Sequence, residues 1–180
     1  ISIMSELRTN RIVPRDGLVS GSHGGIIQVK YATTSTEQNQ GNTSGAYTDI
    51  SGLSLSFTPV RADSLIYVRS VFNVRSYTNS NIDEAFAAFA LVDTTSSTIL
   101  NETGVNSRWG NSSSDGRIQT DVVLEAFVEA GSTSSRTYKT RVKIEDTNYN
   151  VYIFPDNVYS SGGNKAINNV GNIMAYEITS

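Results

Sequence analysis

The sequence predicts an all-β fold: an antiparallel β-sandwich or jelly roll of about eight strands, preceded by an extended N-terminal arm. Three observations carry this expectation. Several runs alternate apolar and polar residues with a period of two, the signature of a strand with one buried face. Ser, Thr, Asn and Gly crowd the intervals between those runs, where turns need them. The 180 residues, 38% hydrophobic, can bury one sizeable core and hardly two, so one domain with an appendage is expected.

The first 25 residues differ from the rest. Arg8, Arg11 and Arg15 alternate with the short apolar pieces Ile12-Val13 and Leu18-Val19, and Gly21-Ser22-His23-Gly24-Gly25 follows. Pro14 fixes its own φ and biases Val13 toward extended geometry, so the stretch reads as an arm with a hinge, a disordered leader being the plainer alternative. Residues 26–180 form the expected sandwich domain.

The strands follow in order. Ile26–Ala32 and Leu53–Phe57 open the domain. In Ser64–Arg75, Ile66, Val68, Phe72 and Val74 face one way and Arg69, Asn73 and Arg75 the other. Residues 83–91 have good helix propensity, and a short buried helix is the competing reading. Their two faces, Phe86-Ala88-Ala90-Val92 and Ala87-Phe89-Leu91, are both apolar, which favours a strand buried on both sides, for instance between the core and a subunit interface. In Arg117–Ala130, Ile118, Val122, Leu124, Ala126, Val128 and Ala130 oppose Arg117, Gln119, Asp121, Glu125 and Glu129; in the next run Tyr138, Val142 and Ile144 oppose Lys139, Arg141, Lys143 and Glu145. The turn-rich Gly131–Ser135 between these two runs predicts a long hairpin that sets Glu125 and Glu129 beside Lys139 and Lys143. Tyr149–Phe154 and Asn172–Ile178 complete the set. The longest polar stretches, Thr78–Ile82, Asn101–Gly116 and Asn157–Asn169, read as loops.

Composition excludes several functions. A net charge of −3, with fourteen scattered Lys and Arg, makes no field for a phosphate backbone, so nucleic-acid binding is not expected. No window approaches the roughly 18 apolar residues of a membrane-spanning helix, and no basic-then-apolar leader opens the chain. Cys is absent, so disulfides, thiolate metal sites and a Cys nucleophile are excluded. The single histidine, His23, sits among glycines, a poor foundation for a catalytic triad. Asp83-Glu84 and Glu145-Asp146 are adjacent on strands and point to opposite faces, so neither pair can bracket a glycosidic bond. Asp146-Thr147-Asn148-Tyr149-Asn150 starts like a calcium loop, but Val151 and Asn157 stand where that loop needs Gly and Glu. No enzyme, cofactor or metal is expected.

Binding capacity then falls to the loops. Tyr77, Arg108, Trp109 and Tyr159 stand in or beside the three polar stretches, where an exposed aromatic ring can stack on a sugar. The alternative is that Trp109 packs into its own loop or a subunit contact.

Residues Ser5–Gly17 (SELRTNRIVPRDG) and Gly24–Lys30 (GGIIQVK) resemble the opening of small virion structural or tail-fibre proteins of marine bacteriophages, notably cyanophages. The resemblance extends through Tyr47–Pro59 and Ser64–Val68 and closes on Ile173–Ile178; residues 79–169 match in style alone. Met4 would begin the chain in that family, whereas Ile1-Ser2-Ile3 precede it here, through an alternative start or continuation from upstream. The resemblance implies a jelly roll similar to tumour necrosis factor-like homotrimers, and no enzyme. It implies an arm, here Arg8, Asn10, Arg11, Ile12, Val13, Pro14 and Arg15, docked on another virion protein of the tail or capsid. Phe86, Phe89, Leu91 and Tyr176 are the candidate subunit interface, and Tyr77, Arg108, Trp109 and Tyr159 the candidate contacts to a host surface glycan. Two placements follow: a tail-fibre or receptor-binding module, or a capsid decoration protein that cements major capsid subunits.

Overall fold

The computed structural model describes residues 25–78, 84–108, 116–145, 149–155, 157–160, 163–166 and 169–179. Among them every regular element is a strand: β1 (Ile26–Thr34), β2 (Gln38–Gln40), β3 (Thr48–Phe57), β4 (Leu65–Thr78), β5 (Glu84–Asp93), β6 (Thr98–Arg108), β7 (Gly116–Glu129), β8 (Arg136–Ile144), β9 (Tyr149–Ile153), β10 (Asn157–Ser160), β11 (Gly163–Ala166) and β12 (Gly171–Ile178).

Two antiparallel sheets face each other. The first runs β1-β12-β4-β7, with β9 following β12 along the same edge of β4 and β2 beside β9; the second runs β3-β8-β5-β6. Among the eight long strands the chain changes sheet at every connection except the β5–β6 hairpin. That is a jelly roll, as the alternation predicted. The β10–β11 ribbon pairs with itself and occupies part of the stretch expected to be loop, Asn157–Asn169.

The core is the inner half of each alternation. Leu53, Leu55 and Phe57 of β3, Ile66, Val68, Phe72 and Val74 of β4, and Tyr138, Val142 and Ile144 of β8 are all buried. Phe72 meets Phe89 edge to face, ring centroids 5.4 Å apart, fastening β4 to β5 across the sandwich. A polar bridge crosses the same core: Thr140 of β8 donates to Ser70 Oγ of β4 at 2.8 Å, and Ser70 donates to the Asn172 carbonyl at 3.3 Å.

Three expectations are corrected. β7 and β8 do not form a hairpin. β7 pairs with β4 over residues 116–129, while β8 lies in the other sheet between β3 and β5. Alternation marks the inward side of a strand without naming its neighbour, and a turn that climbs from one sheet to the other reverses the chain just as a hairpin does. The pairing of Glu125 and Glu129 with Lys139 and Lys143 is therefore absent: Glu125 accepts from Tyr67 at 2.6 Å, Lys139 pairs with Asp49, and Lys143 with Glu145 at 3.3 Å.

The stretch Asn101–Gly116 is not all loop, since residues 98–108 form edge strand β6. Its alternation is hidden by a register shift opposite Leu91 and Val92, where Leu100 is the extra residue.

The third correction concerns β5, a strand buried on both faces as expected, whose Ala88, Phe89, Ala90 and Leu91 are already covered within the single chain. Phe89 and Leu91 point into the core of the same chain and are 0% exposed. On the outer face, Ala88 and Ala90 sit in register with Lys143 and Arg141 of β8 and with Gly104 and Glu102 of β6. Tyr47 spans that strip: its hydroxyl donates to Glu102, and Lys143 Nζ lies 5.5 Å from its ring centroid. Burial, and then the Glu102 carboxylate, hold the Tyr47 phenol well above its ordinary pKa.

Candidate functional site

The jelly roll gives the domain two unlike ends. At one, the base, β1 begins and β12 finishes, joined by bonds from Gly25 N to Thr179 Oγ1 at 3.2 Å and from Thr179 N to the Gly25 carbonyl at 3.0 Å. The β3–β4, β5–β6 and β7–β8 connections share that end. At the other, the apex, the register brings together Tyr77 and Arg117, Thr78 and Tyr149, and Glu84 and Arg108. Strands β4, β6 and β8 therefore all end where β5, β7 and β9 start.

The base is fixed by two buried carboxylates. Glu177 of β12 accepts the backbone N–H of Val60 at 2.8 Å and of Arg61 at 2.9 Å, and the Ser64 hydroxyl at 2.6 Å. Burial raises the Glu177 pKa, but these three donors outweigh it and the net shift is downward. Asp93 pairs with Arg136 at 2.8 Å while its other oxygen accepts the Thr95 amide at 2.9 Å. Both carboxylates are occupied in holding turns, which is a structural role.

Of the sequence-predicted contact residues, Tyr77 and Arg108 lie in strands that end at the apex. Tyr159 belongs to the β10–β11 ribbon, which departs elsewhere: Phe154 N donates to the Asn73 carbonyl at mid-sheet, and Asn169 donates to the Pro155 carbonyl at 2.7 Å, so the excursion leaves and returns at one point. Trp109 and the arm residues Arg8, Asn10, Arg11, Ile12, Val13, Pro14 and Arg15 lie outside the described residues. Below the apex, a cleft of about 470 Å³ opens between edge strands β6 and β7, lined by Gly104, Asn106, Thr120 and Asp121. Among the described residues no group of three or more His, Asp or Glu side chains is placed to hold a metal ion.

No family model matches this sequence, and no curated protein matches it. Solved structures give distant likenesses. The chain aligns with the MgGH51 α-L-arabinofuranosidase at 11% identity and a TM-score of 0.30, covering 87% of this chain and 23% of that one. With the VP2 subviral particle of infectious bursal disease virus the identity is 12% and the TM-score 0.26, covering 85% and 41%. With the virus-like particle of the extra small virus of the giant freshwater prawn Macrobrachium rosenbergii the values are 9% and 0.19, over 99% and 96%. The chain thus spans less than half of the first two. Likenesses this distant carry no argument about what this chain does.

The outer face of the first sheet was not legible as a unit in the sequence. Four residues from four strands fall in one register row, Val29–Tyr176–Tyr67–Phe127. Tyr67 stacks on Phe127 at 4.7 Å between centroids and lies 5.9 Å from Tyr176. Phe127 is 63% exposed and the neighbouring Tyr31 70%. Below this row, Leu65, Ile178, Ala62 and Glu129 line a groove of about 420 Å³. The only signal for this surface was apolar residues at positions that alternation assigns outward, such as Val123 and Phe127 among Asp121, Glu125 and Glu129. Of the four candidate interface residues, Phe86 and Tyr176 are on outer faces. Phe86 covers Gly104 on the neighbouring strand, where an added Cβ would lie 2.4 Å from its ring.

Proposed function

We propose that this chain is a non-enzymatic virion structural protein of a bacteriophage, and specifically a tail-fibre or receptor-binding module, assembled as a homotrimer and attached through its N-terminal arm. The observation that carries the proposal is the separation of ends: Gly25, where the described domain begins, lies at the base beside Thr179, while β4 and β6 end and β5 and β7 begin at the apex. A module that must be held at one end and touch a surface at the other needs that polarity. The resemblance of residues 5–17 and 24–30 to virion proteins supports the phage assignment. A structural role also accords with Glu177 and Asp93, whose carboxylates are tied to backbone and Arg136 rather than open to a substrate. In this reading Tyr77, Arg108 and Trp109 contact a glycan on the host surface.

The test is cryo-electron microscopy of the particle carrying this protein, combined with adsorption of particles bearing Trp109→Ala. Density projecting from the tail and weakened adsorption are the expected results. Density spread over the capsid lattice, with unchanged adsorption, would replace the fibre reading with a cement that clamps major capsid subunits.

A further inference from the structure

We infer that the outer face of the first sheet is a docking site for the chain's own N-terminal segment, residues 8–19. The inference concerns the free chain and does not require the virion reading; attachment of the arm to a virion partner would draw residues 8–19 off this face. Three observations meet here. The face carries a continuous run of apolar and aromatic side chains: the row Val29–Tyr176–Tyr67–Phe127 with Tyr31 beside it, and below it the groove between Leu65 and Ile178. Exposed aromatic surface of this continuity marks an interaction site.

The segment joins the domain beside that groove. Gly25 is hydrogen-bonded to Thr179, and Thr179 and Ile178 line the groove. The five residues Ser20–Gly24 span up to about 17 Å when extended, and the four strands of the face cover about 14 Å at a spacing of about 4.8 Å. Leu18-Val19 therefore reaches the groove, and Ile12-Val13 the aromatic row, without strain.

The charges are complementary. Between residues 6 and 16 the segment carries Arg8, Arg11 and Arg15 against Glu6 and Asp16. The rim on β7 presents Asp121, Glu125 and Glu129, with Arg69 paired to Glu125 at 3.8 Å. A tether this short makes docking intramolecular, which favours the chain's own segment over a free copy's.

The experiment is hydrogen exchange, read by mass spectrometry on the full chain, for wild type, Phe127→Asp and the control Ile99→Asp, which is 47% exposed on β6 of the other sheet. Residues 8–19 should exchange about tenfold slower than a free peptide of that sequence in wild type and in Ile99→Asp, and at the free rate in Phe127→Asp. Phe127 is mostly exposed, so the variant should keep its strand amides protected, which the same data report. Because the chain has no cysteine, Leu18→Cys with Leu65→Cys gives a second reading: oxidation should close a disulfide at monomer mass. Free-peptide exchange in wild type, protection that survives Phe127→Asp, or a disulfide joining two chains would each overturn the inference, the last by assigning the face to a second copy.

Discussion

Asp93 and Arg136 meet at 2.8 Å across the base of the sandwich, and the same guanidinium donates to the Glu129 carbonyl at 2.7 Å. Asp93 ends β5 in one sheet and Glu129 ends β7 in the other. One side chain thus ties the two sheets at the point where the chain crosses between them.

Removing Arg136 leaves the fully buried Asp93 without its cation. Arg136→Ala should cost about 3 kcal/mol, in the range for breaking a buried pair from one side. Urea denaturation measures it, and Arg136→Lys should recover little, since an ammonium cannot hold both sheets in one plane.

Glu177 makes stability depend on pH with a defined sign. Its folded pKa lies below the unfolded value, so its contribution is fully present above the unfolded carboxyl pKa, about 4.3, and disappears as pH falls through the folded one. The wild type should lose stability below about pH 4.5 more steeply than Glu177→Gln, which is less stable at pH 7. Denaturation midpoints from pH 7 to 3 compare the two; parallel curves would refute the role.

Gly171 lies under the ring of Phe154, whose positive φ of 54° turns the chain out of the sheet after β9. A Cβ at residue 171 would stand 2.0 Å from that ring. Gly171→Ala should therefore destabilise by about 2 kcal/mol through overpacking, read as a lower denaturation midpoint. Gly131→Ala meets no atom within 4 Å, and its cost comes from φ of 66° alone.

The Thr140–Ser70 bridge is testable by a double-mutant cycle. Thr140→Val and Ser70→Ala should each cost about 1 kcal/mol, and the double variant less than their sum, because removing both partners leaves no stranded hydroxyl.

Most of the fold was legible because its strands are amphipathic. β4, β7 and β8 each carry a long unbroken period of two, and the buried faces read from Ile66–Val74 and Tyr138–Ile144 are those observed. What failed was pairing. The partner of β7 is β4, some fifty residues away, and nothing in the local pattern distinguishes that strand from the adjacent β8. β6 escaped notice because its bulge at Leu100 breaks the alternation and its edge position lets Asn101, Glu102 and Asn106 occupy it. The doubly apolar character of β5 was read correctly as burial on both sides, but the cover is Tyr47 of the same chain. For the candidate site, composition placed Arg108 in a loop and Tyr77 beside one, whereas their arrival at one end depends on the order of strands. The aromatic row was invisible because its members come from four separate segments and meet only through register.

The bonds between Gly25 and Thr179 put the two ends of the folded domain a hydrogen bond apart. A domain with adjoining ends can be spliced into a surface loop of a host protein without prying the host open, and its own backbone can be closed there and cut anew elsewhere. New ends at Ser132–Ser134, an exposed corner, would test this. Such a circularly permuted chain should keep the order of strands intact, because no contact in the sandwich depends on which residue the ribosome makes first.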